Sequence, residues 1–241
     1  MDKELRVVIL AAGKGTRMNS SLPKVLHKLC GKSLIDYVLD ESELFRPVEV
    51  ILVVGFEKNK VILHTENRAN IKYCTQSDQL GTGHAVLQTE ELLKNKKGHI
   101  LILYGDVPNI KSSTLQPIID DHVKNNRDLT LITAELENPY GYGRIIRDKN
   151  GSLLKIVEEK DCNDDEKKIK EWNPGIYIFK IPEVFDILNK IKANNASEEY
   201  YLTDAIGIAQ QANMHIEAIK IANSKEVIGV NTADQLEELE S

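Results

Sequence analysis

Short apolar runs alternate with amphipathic stretches along the first 137 residues of this 241-residue chain. The runs, rich in valine, isoleucine and leucine, are residues 5–11, 48–54, 71–74, 99–104 and 129–134. The stretches between them, which have the pattern of helices, are residues 23–45, 58–68, 82–94 and 112–125. Strands that alternate with helices form βαβ units, with parallel strands and helices on both faces of the sheet. We therefore predict an α/β, Rossmann-like fold built on a mostly parallel mixed sheet.

Composition excludes several classes of protein. A net charge of −6 leaves no excess of cations for a general nucleic-acid binder. Cys30, Cys74 and Cys162 are widely spaced, which favours reduced thiols over a disulfide framework or a zinc site. No apolar run approaches the ~20 residues of a membrane span, and the first residues lack a signal-peptide pattern. We therefore expect a cytoplasmic protein that binds neither nucleic acid nor a membrane.

The first apolar run leads into a loop that contains Gly13 and Gly15. Backbone N–H groups of such a loop can approach phosphate oxygens closely, because glycine has no Cβ. Arg17 and Lys24 follow and supply the positive charge that a polyphosphate requires. The loop therefore predicts a site for a nucleoside triphosphate.

Two other phosphate-binding motifs fit less well. A dinucleotide fingerprint needs a third glycine, and Met18 follows where that glycine should stand. Residues 31–33, Gly-Lys-Ser, have the ending of a Walker A motif, but Leu26 occupies the place of its first glycine. We therefore interpret residues 31–33 as a turn that interrupts a helix.

Two further segments carry candidate binding residues. Asp106, next to a glycine after the run at 99–104, suits Mg²⁺, which takes one or two carboxylates with waters and phosphates. An Asx turn or a helix cap is the alternative for Asp106. Residues 76–85 open a helix, where free N–H groups and amide side chains can read the edge of a pyrimidine base. Thr82 is also compatible with a plain N-cap, and we expect His84 to have a packing or capping role.

After residue 137 the pattern changes to turns and short strands. Residues 138–143 are rich in turn formers, and Asn150-Gly151 predicts a hairpin between 144–147 and 153–157. We predict a smaller β-rich subdomain here that folds over the first half and holds a second substrate. Helix, strand and helix patterns follow at residues 204–213, 215–221 and 232–240. The expected organisation is one domain over residues 1–241, with a nucleotide-binding half at 1–137 and a sugar-binding and return segment at 138–241.

Combined and in this order, these segments resemble the N-terminal uridylyltransferase domain of bacterial GlmU, the bifunctional UDP-N-acetylglucosamine pyrophosphorylase. The matching segments are residues 10–18, 22–27, 79–85, 103–108, 141–145, 156–158, 173–176, 199–204 and 229–231. The glycine loop marks a wider superfamily of sugar-nucleotide transferases, whereas LGTGHA at 80–85, YGDVP at 104–108 and EYYLTD at 199–204 are more selective. The likeness runs from residue 5 to residue 235. Pro174 departs from the threonine that is usual in the family, which removes one backbone N–H.

The resemblance implies roles for individual residues. The nucleotide and its phosphates would be bound by Leu10, Ala11, Ala12, Gly13, Arg17 and Lys24. Uracil would be read by Gln76, Gly81 and Thr82. The nucleotide sugar and the metal would be met by Tyr104, Gly105 and Asp106. N-acetylglucosamine would be held by Gly143, Glu158 and Asn173. The two Mg²⁺ ligands would be Asp106 and Asn231, and the catalytic residues Arg17, Lys24 and Asp106.

The implied reaction is Mg²⁺-dependent transfer of uridylyl from UTP to N-acetylglucosamine 1-phosphate, a step that supplies cell-wall and lipopolysaccharide precursors. The second domain of the family, a left-handed β-helix with acetyltransferase activity, has no counterpart in these residues. We therefore expect uridylyl transfer alone, from a monomer or a weak oligomer, because the family trimerises largely through that domain. The alternatives are a related sugar-1-phosphate transferase, a cytidylyltransferase and a non-catalytic nucleotide-sugar sensor.

Overall fold

The computed structural model describes residues 4–240. The strands are β1 Leu5–Ala11, β2 Lys28–Leu29, β3 Lys32–Ser33, β4 Glu49–Val54, β5 Ile71–Thr75, β6 Gly98–Tyr104, β7 Leu129–Glu135, β8 Gly143–Arg147, β9 Leu153–Val157, β10 Glu171–Asn173, β11 Tyr177–Ile181 and β12 Ile216–Lys220. The α-helices are α1 Leu34–Leu44, α2 Lys58–Thr65, α3 Thr82–Leu87, α4 Glu90–Leu93, α5 Ser112–Lys124, α6 Glu183–Leu188, α7 Ala205–Gln211 and α8 Ala233–Glu240. Among these elements, no helix has the length and apolar run needed to cross a bilayer.

One ten-stranded sheet organises the molecule, in the order β5-β4-β1-β6-β11-β7-β10-β8-β9, with β12 paired to β7. β5, β4, β1 and β6 are parallel, and β7 and β12 run in the same direction. β11 lies between β6 and β7 and is antiparallel to both. The prediction of a mixed sheet with mostly parallel strands is therefore confirmed.

Helices cover both faces of this sheet, as predicted. Every residue of β1 and β4 is buried, which is typical of central strands in a covered parallel sheet. Alternate residues of β1 belong to two apolar clusters: one includes residues of α1, α2 and α5, and the other residues of α3, α4, α6 and α7. The carboxyl ends of the parallel strands stay open between these layers.

The five strands predicted in the first half are all present, each within one residue at either end. The helical stretch predicted over residues 23–45 is broken near residues 31–33, where a turn is predicted, and its part before α1 is not an α-helix. The hairpin β2–β3 interrupts it, because Cys30 and Gly31 adopt the left-handed conformation with φ of 48° and 84°. α1 then begins at Leu34, where the Ser33 hydroxyl accepts a hydrogen bond from the Asp36 N–H at 3.3 Å.

The second half is joined to the main sheet more closely than predicted. The hairpin β8–β9 turns at Gly151, as the sequence indicates. However, β11 lies between β6 and β7, and β12 pairs with β7. Strands from both sides of residue 137 therefore alternate within one sheet. Tyr177, Ile178 and Phe179 are fully buried, because this strand has neighbours on both edges and apolar side chains on both faces.

Candidate active site

A cavity of about 530 Å³ opens where β1 and β6 end. Ligands of parallel sheets bind at this edge, outside the carboxyl ends of the strands. Most of the residues predicted for the site line this cavity: Leu10, Ala11, Ala12, Gly13, Arg17, Lys24, Gln76, Gly81, Thr82, Tyr104, Asp106, Gly143, Glu158, Asn173 and Asn231. The fold therefore brings together residues that are more than 200 positions apart in the chain.

Gly105 is the exception, since it does not line the cavity. It is buried directly behind the end of β6, and its N–H donates to the carbonyl of Leu10 at 3.0 Å. A Cβ at this position would lie 3.0 Å from Val25 Cγ1. Gly105 thus allows a close approach of two chain segments, and its contact with the nucleotide sugar stays a prediction.

The glycine loop packs against Lys24. Gly15 has φ of 61°, and a Cβ there would lie 2.7 Å from the Cβ of Lys24. Its carbonyl accepts the N–H of Met18 at 2.9 Å, which closes the 3₁₀ turn Thr16–Met18. Because Gly15 has no side chain, the loop and the Lys24 backbone come together at one end of the cavity.

Four side chains form a charged cluster at this end. Lys24 Nζ is paired with the carboxylate of Asp106 and donates to Asn231 Oδ1 at 2.8 Å. Arg17 Nη2 donates to the same Asn231 oxygen at 2.9 Å. The Val230 N–H donates to the Asp106 carbonyl at 2.9 Å, which places Asn231 beside Asp106. One carboxylate and one amide oxygen therefore converge on a single cationic atom.

This donor set is of the kind that Mg²⁺ takes from proteins. Mg²⁺ prefers oxygen ligands and usually keeps several waters and substrate phosphates beside one or two carboxylates. Asp106 and Asn231 supply such oxygens, and both already face one positive charge. Within residues 4–240 there is no group of three or more histidine, cysteine, aspartate or glutamate side chains that could hold a metal by itself. The residues present therefore fit a metal ion whose coordination is completed by waters and substrate phosphates. They do not fit a structural metal site in which the protein supplies every ligand.

A second region of the cavity lies around the start of α3. The Gln76 side chain is buried, and its Nε2 donates to the Gly81 carbonyl at 3.0 Å. Thr82 is not an N-cap, since Gly81 holds that position without a side-chain cap. Instead the Thr82 hydroxyl accepts the N–H of Leu202 at 3.0 Å. The ring nitrogens of His84 lie 3.1 Å and 3.0 Å from the side-chain amide nitrogens of Gln76 and Gln88.

The segment 199–203 is a part of the site that residue-level reasoning missed. Four of its residues line the cavity: Glu199, Tyr201, Leu202 and Thr203. The backbone of Tyr200 donates to Leu80 and accepts from Gly83, both at 2.8 Å. Gly81, with φ of 113°, has no room for a Cβ, which would lie 2.6 Å from the Tyr200 carbonyl. The one signal for this segment in the sequence is the EYYLTD match, which assigns no chemistry by itself.

A third region is built on β8, β9 and β10 and includes a carboxylate. Burial raises the pKa of Glu158 above its usual range, and the negative charges of Asp161, Asp204 and Glu199 add to the shift. The Thr203 hydroxyl donates to Glu158 Oε1 at 3.0 Å and opposes it.

Gly143 and Asn173 complete this region. A Cβ on Gly143 would lie 3.4 Å from both carboxylate oxygens of Glu158, so the missing side chain keeps the space beside that carboxylate open. The Asn173 Oδ1 accepts the N–H of Gly175 at 3.0 Å. Pro174, the next residue in the chain, also lines the cavity.

Tyr104 lies between the regions of the cavity. Burial raises the pKa of its phenol above the usual range, and the negative charge of Glu158 contributes, so the hydroxyl stays protonated. Gly175, with φ of 83°, packs its backbone against the Tyr104 ring. Tyr104 is therefore a neutral hydrogen-bonding group held between the strand ends and the Glu158 region.

A comparison with protein families identifies this architecture. Residues 6–224 match the family described as nucleotidyl transferase. The chain belongs to this family. The match covers the glycine loop, the strand ends and the β8–β10 region that together line the cavity.

Curated relatives and solved structures give further similarity. The chain is 45% identical over 229 residues to the bifunctional protein GlmU of Clostridium acetobutylicum, covering 95% of this chain and 50% of that protein. It is 44% identical over 233 residues to GlmU of Clostridium botulinum, covering 97% and 50%. The chain thus spans about half the length of these curated relatives.

Two solved structures share the fold at low identity. One is a UDP-glucose pyrophosphorylase in complex with UDP-glucose, with a TM-score of 0.76, 21% identity and coverage of 98% of this chain and 97% of that one. The other is a Bacillus anthracis protein assigned as a glucose-1-phosphate thymidylyltransferase, with a TM-score of 0.76, 17% identity and coverage of 98% and 94%. Both confirm the Rossmann-like nucleotidyltransferase fold.

Proposed function

We propose that the chain transfers the uridylyl group of UTP to N-acetylglucosamine 1-phosphate and releases pyrophosphate. The observation that carries this proposal is the shared cavity, which joins the cationic pair Arg17 and Lys24, the oxygen donors Asp106 and Asn231, and the carboxylate of Glu158. The similarity to GlmU proteins over half their length supports these substrates. Nucleotidyl transfer itself is the activity of the family to which the chain belongs.

The proposed chemistry needs positioning and charge stabilisation more than proton transfer. The oxygen of the sugar phosphate is already anionic, so it attacks the α-phosphorus without a general base. A bond forms from that oxygen to the α-phosphorus, and the bond from the α-phosphorus to the bridging oxygen of pyrophosphate breaks. Enzymes accelerate such transfers by aligning the anions and neutralising charge in the transition state.

Arg17 and Lys24 would carry most of the neutralisation. Arg17 is exposed at the mouth of the cavity, where its planar guanidinium can meet two oxygens of the leaving pyrophosphate. Lys24, deeper in the same cluster, would hold the α-phosphate and the attacking group. Both cations contact Asn231 in this structure, so the phosphates would have to compete for them.

Asp106 and Asn231 would hold Mg²⁺ when the nucleotide is bound. The ion would supply charge neutralisation on the phosphates and help to fix their orientation. Lys24 would then exchange its contact with Asp106 for one with a phosphate, since the two positive charges cannot share the same oxygens at close range.

The other regions of the cavity would select the substrates. We assign the uracil to the pocket around Gln76, Gly81 and Thr82, where amide and backbone groups face the cavity. We assign the N-acetylglucosamine moiety to the region around Gly143, Glu158 and Asn173, where a carboxylate can accept hydrogen bonds from sugar hydroxyls. The ring of Tyr104 lies between these two regions.

The test is pyrophosphate release measured with a panel of substrates. UTP or CTP would be combined with N-acetylglucosamine 1-phosphate or glucose 1-phosphate, with and without Mg²⁺. We expect the highest kcat/KM for UTP with N-acetylglucosamine 1-phosphate, and no turnover without the metal. A preference for CTP, or binding of UTP without release of pyrophosphate under any condition, would contradict the proposal. Light scattering would test the expected monomer or weak oligomer.

A further inference from the structure

Arg144 is a buried cation that the proposed reaction does not use. It follows Gly143 on β8 and is 2% exposed, yet it does not line the cavity. Burying a guanidinium is costly unless its hydrogen-bonding groups find partners. The Nε of Arg144 finds none among the described residues, so the arrangement is not optimised for stability alone.

The guanidinium acts on the backbone of the cavity wall. Its Nη1 donates to the carbonyl of Tyr142, and its Nη2 donates to Glu159 Oε2 at 2.7 Å. The same Glu159 oxygen accepts the N–H of Gly141 at 3.0 Å. One ion pair, Arg144–Glu159, therefore holds two successive backbone positions, and Gly143 follows them directly. Residues 141, 142 and 143 all line the cavity.

The ion pair is itself fixed by the strands around it. Arg144 is paired with Val157 of β9 on one side and with Trp172 of β10 on the other. The ring of Trp172 lies 4.1 Å from the ring of Tyr142, measured between centroids. Gly141, by contrast, has φ of 85° and nothing within 4 Å of its Cβ position, so its surroundings constrain it little. The ion pair supplies the constraint at that end of the wall.

We propose that Arg144 and Glu159 are positioning residues for the sugar end of the cavity. They set the backbone of residues 141–143 beside the carboxylate of Glu158, which neighbours Glu159 in the chain. Their polar contacts fall on this wall and not on the glycine loop or the start of α3. The identity of the sugar rests on the proposed function. The selective effect on the sugar end follows from the contacts.

The experiment compares Glu159→Gln with a matched control in the full chain. Glu171→Gln breaks the ion pair of Arg147 with Glu171, which also joins β8 to β10 and has N–O distances of 2.7 Å and 2.8 Å. Arg147 and Glu171 do not line the cavity. Thermal unfolding of both variants checks that each is folded and measures the stability that each ion pair provides.

We expect Glu159→Gln to raise the KM for N-acetylglucosamine 1-phosphate on the order of 10-fold, below the about 10²-fold that a 1 Å misplacement can cost. The KM for UTP should stay within about twofold, because the contacts of Glu159 lie on the sugar wall. Binding should show the same split, with weaker UDP-N-acetylglucosamine and unchanged UDP in titration calorimetry. For Arg144→Lys we expect a KM for N-acetylglucosamine 1-phosphate between those of the wild type and of Glu159→Gln, because lysine keeps the charge but lacks the planar guanidinium. Glu171→Gln should leave both KM values unchanged.

The proposal is overturned if Glu159→Gln behaves like Glu171→Gln in KM, or if it weakens UDP and UDP-N-acetylglucosamine equally. Either result would show a purely structural ion pair. A wild-type chain that neither turns over N-acetylglucosamine 1-phosphate nor binds UDP-N-acetylglucosamine overturns the proposed function as well. That failure differs from the first, because it appears in the unmodified protein.

Discussion

The ammonium of Lys24 contacts both oxygen donors that the resemblance assigns to a metal. Its partners, Asp106 and Asn231, are separated from it by 82 and 207 positions in the chain. The Lys24 and Asp106 side chains are 13% and 16% exposed, so their charges are partly removed from water and need each other. We infer that Lys24 and Asp106 neutralise each other without a ligand, and that nucleotide phosphates and a metal would together replace these internal contacts.

Asp106→Ala tests the metal assignment at the scale of one residue. We expect Mg²⁺-dependent pyrophosphate release to fall by roughly 10² to 10³, as for other groups that stabilise transition-state charge. The fold should persist, because Lys24 keeps its hydrogen bond to Asn231. Asp40→Ala is the control, since this exposed carboxylate on α1 forms ion pairs with Lys32 and Arg68 away from the cavity. Near-normal turnover of Asp106→Ala would exclude it as a metal ligand.

Arg17→Ala tests the second cation. A group that meets the leaving pyrophosphate in the transition state should mainly lower kcat, here by about 10²-fold, with a small change in the KM for UTP. The matched control is Lys14→Ala, an exposed cation of the same loop that lies 5.8 Å from the Phe56 ring. Steady-state kinetics with UTP varied would separate the two parameters. A change in KM alone would assign Arg17 to ground-state binding.

At the scale of helices and strands, the sequence predicts those elements that a local pattern of apolar residues determines. The central strands are found within a residue, because long apolar runs in a covered sheet are specified by burial itself. The helical stretch at 23–45 is interrupted where the turn is predicted at residues 31–33. The apolar pattern does not predict that a hairpin with left-handed backbone at Cys30 and Gly31 forms this interruption. The segment 199–203 joins the site through backbone hydrogen bonds: the Tyr200 N–H donates to Leu80, and the Tyr200 carbonyl accepts from Gly83. Its side-chain pattern therefore gives no direct signal.

Gly81→Ala tests this contact between α3 and the segment 199–203. Alanine would adopt φ of 113° with strain and would also push its Cβ into the Tyr200 carbonyl. We expect a loss of about 1–3 kcal/mol in unfolding free energy from strain and overpacking, together with a raised KM for UTP. Urea unfolding and steady-state kinetics would measure the two effects.

The control for Gly81→Ala is Gly151→Ala in the turn of the β8–β9 hairpin. Gly151 has φ of 84° but nothing within 4 Å of its Cβ position, so that variant carries the strain without the steric conflict. We expect it to lose less stability and to keep the KM for UTP. Equal effects of the two variants would show that packing against Tyr200 is unimportant.

At the scale of the whole molecule, the sheet connects the two halves of the cavity. β11 pairs with β6, which ends at Tyr104, and with residues 129–131 of β7, and β10 pairs with residues 134–135 of that same strand. The walls assigned to nucleotide and to sugar are therefore ends of one continuous sheet. We infer that a loss of global stability reduces nucleotide binding and sugar binding together. A variant that changes only one of the two KM values therefore changes the structure locally, at one wall of the cavity.

A buried histidine pair should make this global stability depend on pH. His122 Nε2 lies 3.0 Å from His99 Nδ1, and His122 Nδ1 lies 2.8 Å from the Thr130 hydroxyl. Burial lowers the pKa of His122 to about 3, and the positive charges of His99, Arg127, His215 and Lys180 contribute. In the unfolded chain, histidine binds its proton near pH ~6.5, so the unfolded state takes up more protons in acid. The contribution of His122 to the free energy of unfolding is therefore fully present above pH ~6.5 and is lost as the pH falls toward 3.

Urea unfolding of the wild type and of His122→Gln at about pH 7.5 and about pH 5 measures this effect. From pH ~7.5 to pH ~5, the free energy of unfolding should fall by about 2 kcal/mol more in the wild type than in the variant. The reason is that the variant lacks the buried imidazole with the lowered pKa. Asp36 and Glu49 are carboxylates whose pKa values in the folded protein lie below the ordinary values of 3.8 and 4.5. Their protonation therefore changes the free energy of unfolding mainly below pH ~5. His215→Gln, at an exposed histidine, should keep most of the pH dependence of the wild type, because it removes one charge near His122 but leaves the buried imidazole in place. Equal pH dependence of wild type and His122→Gln would show that protonation of His122 does not limit stability in acid.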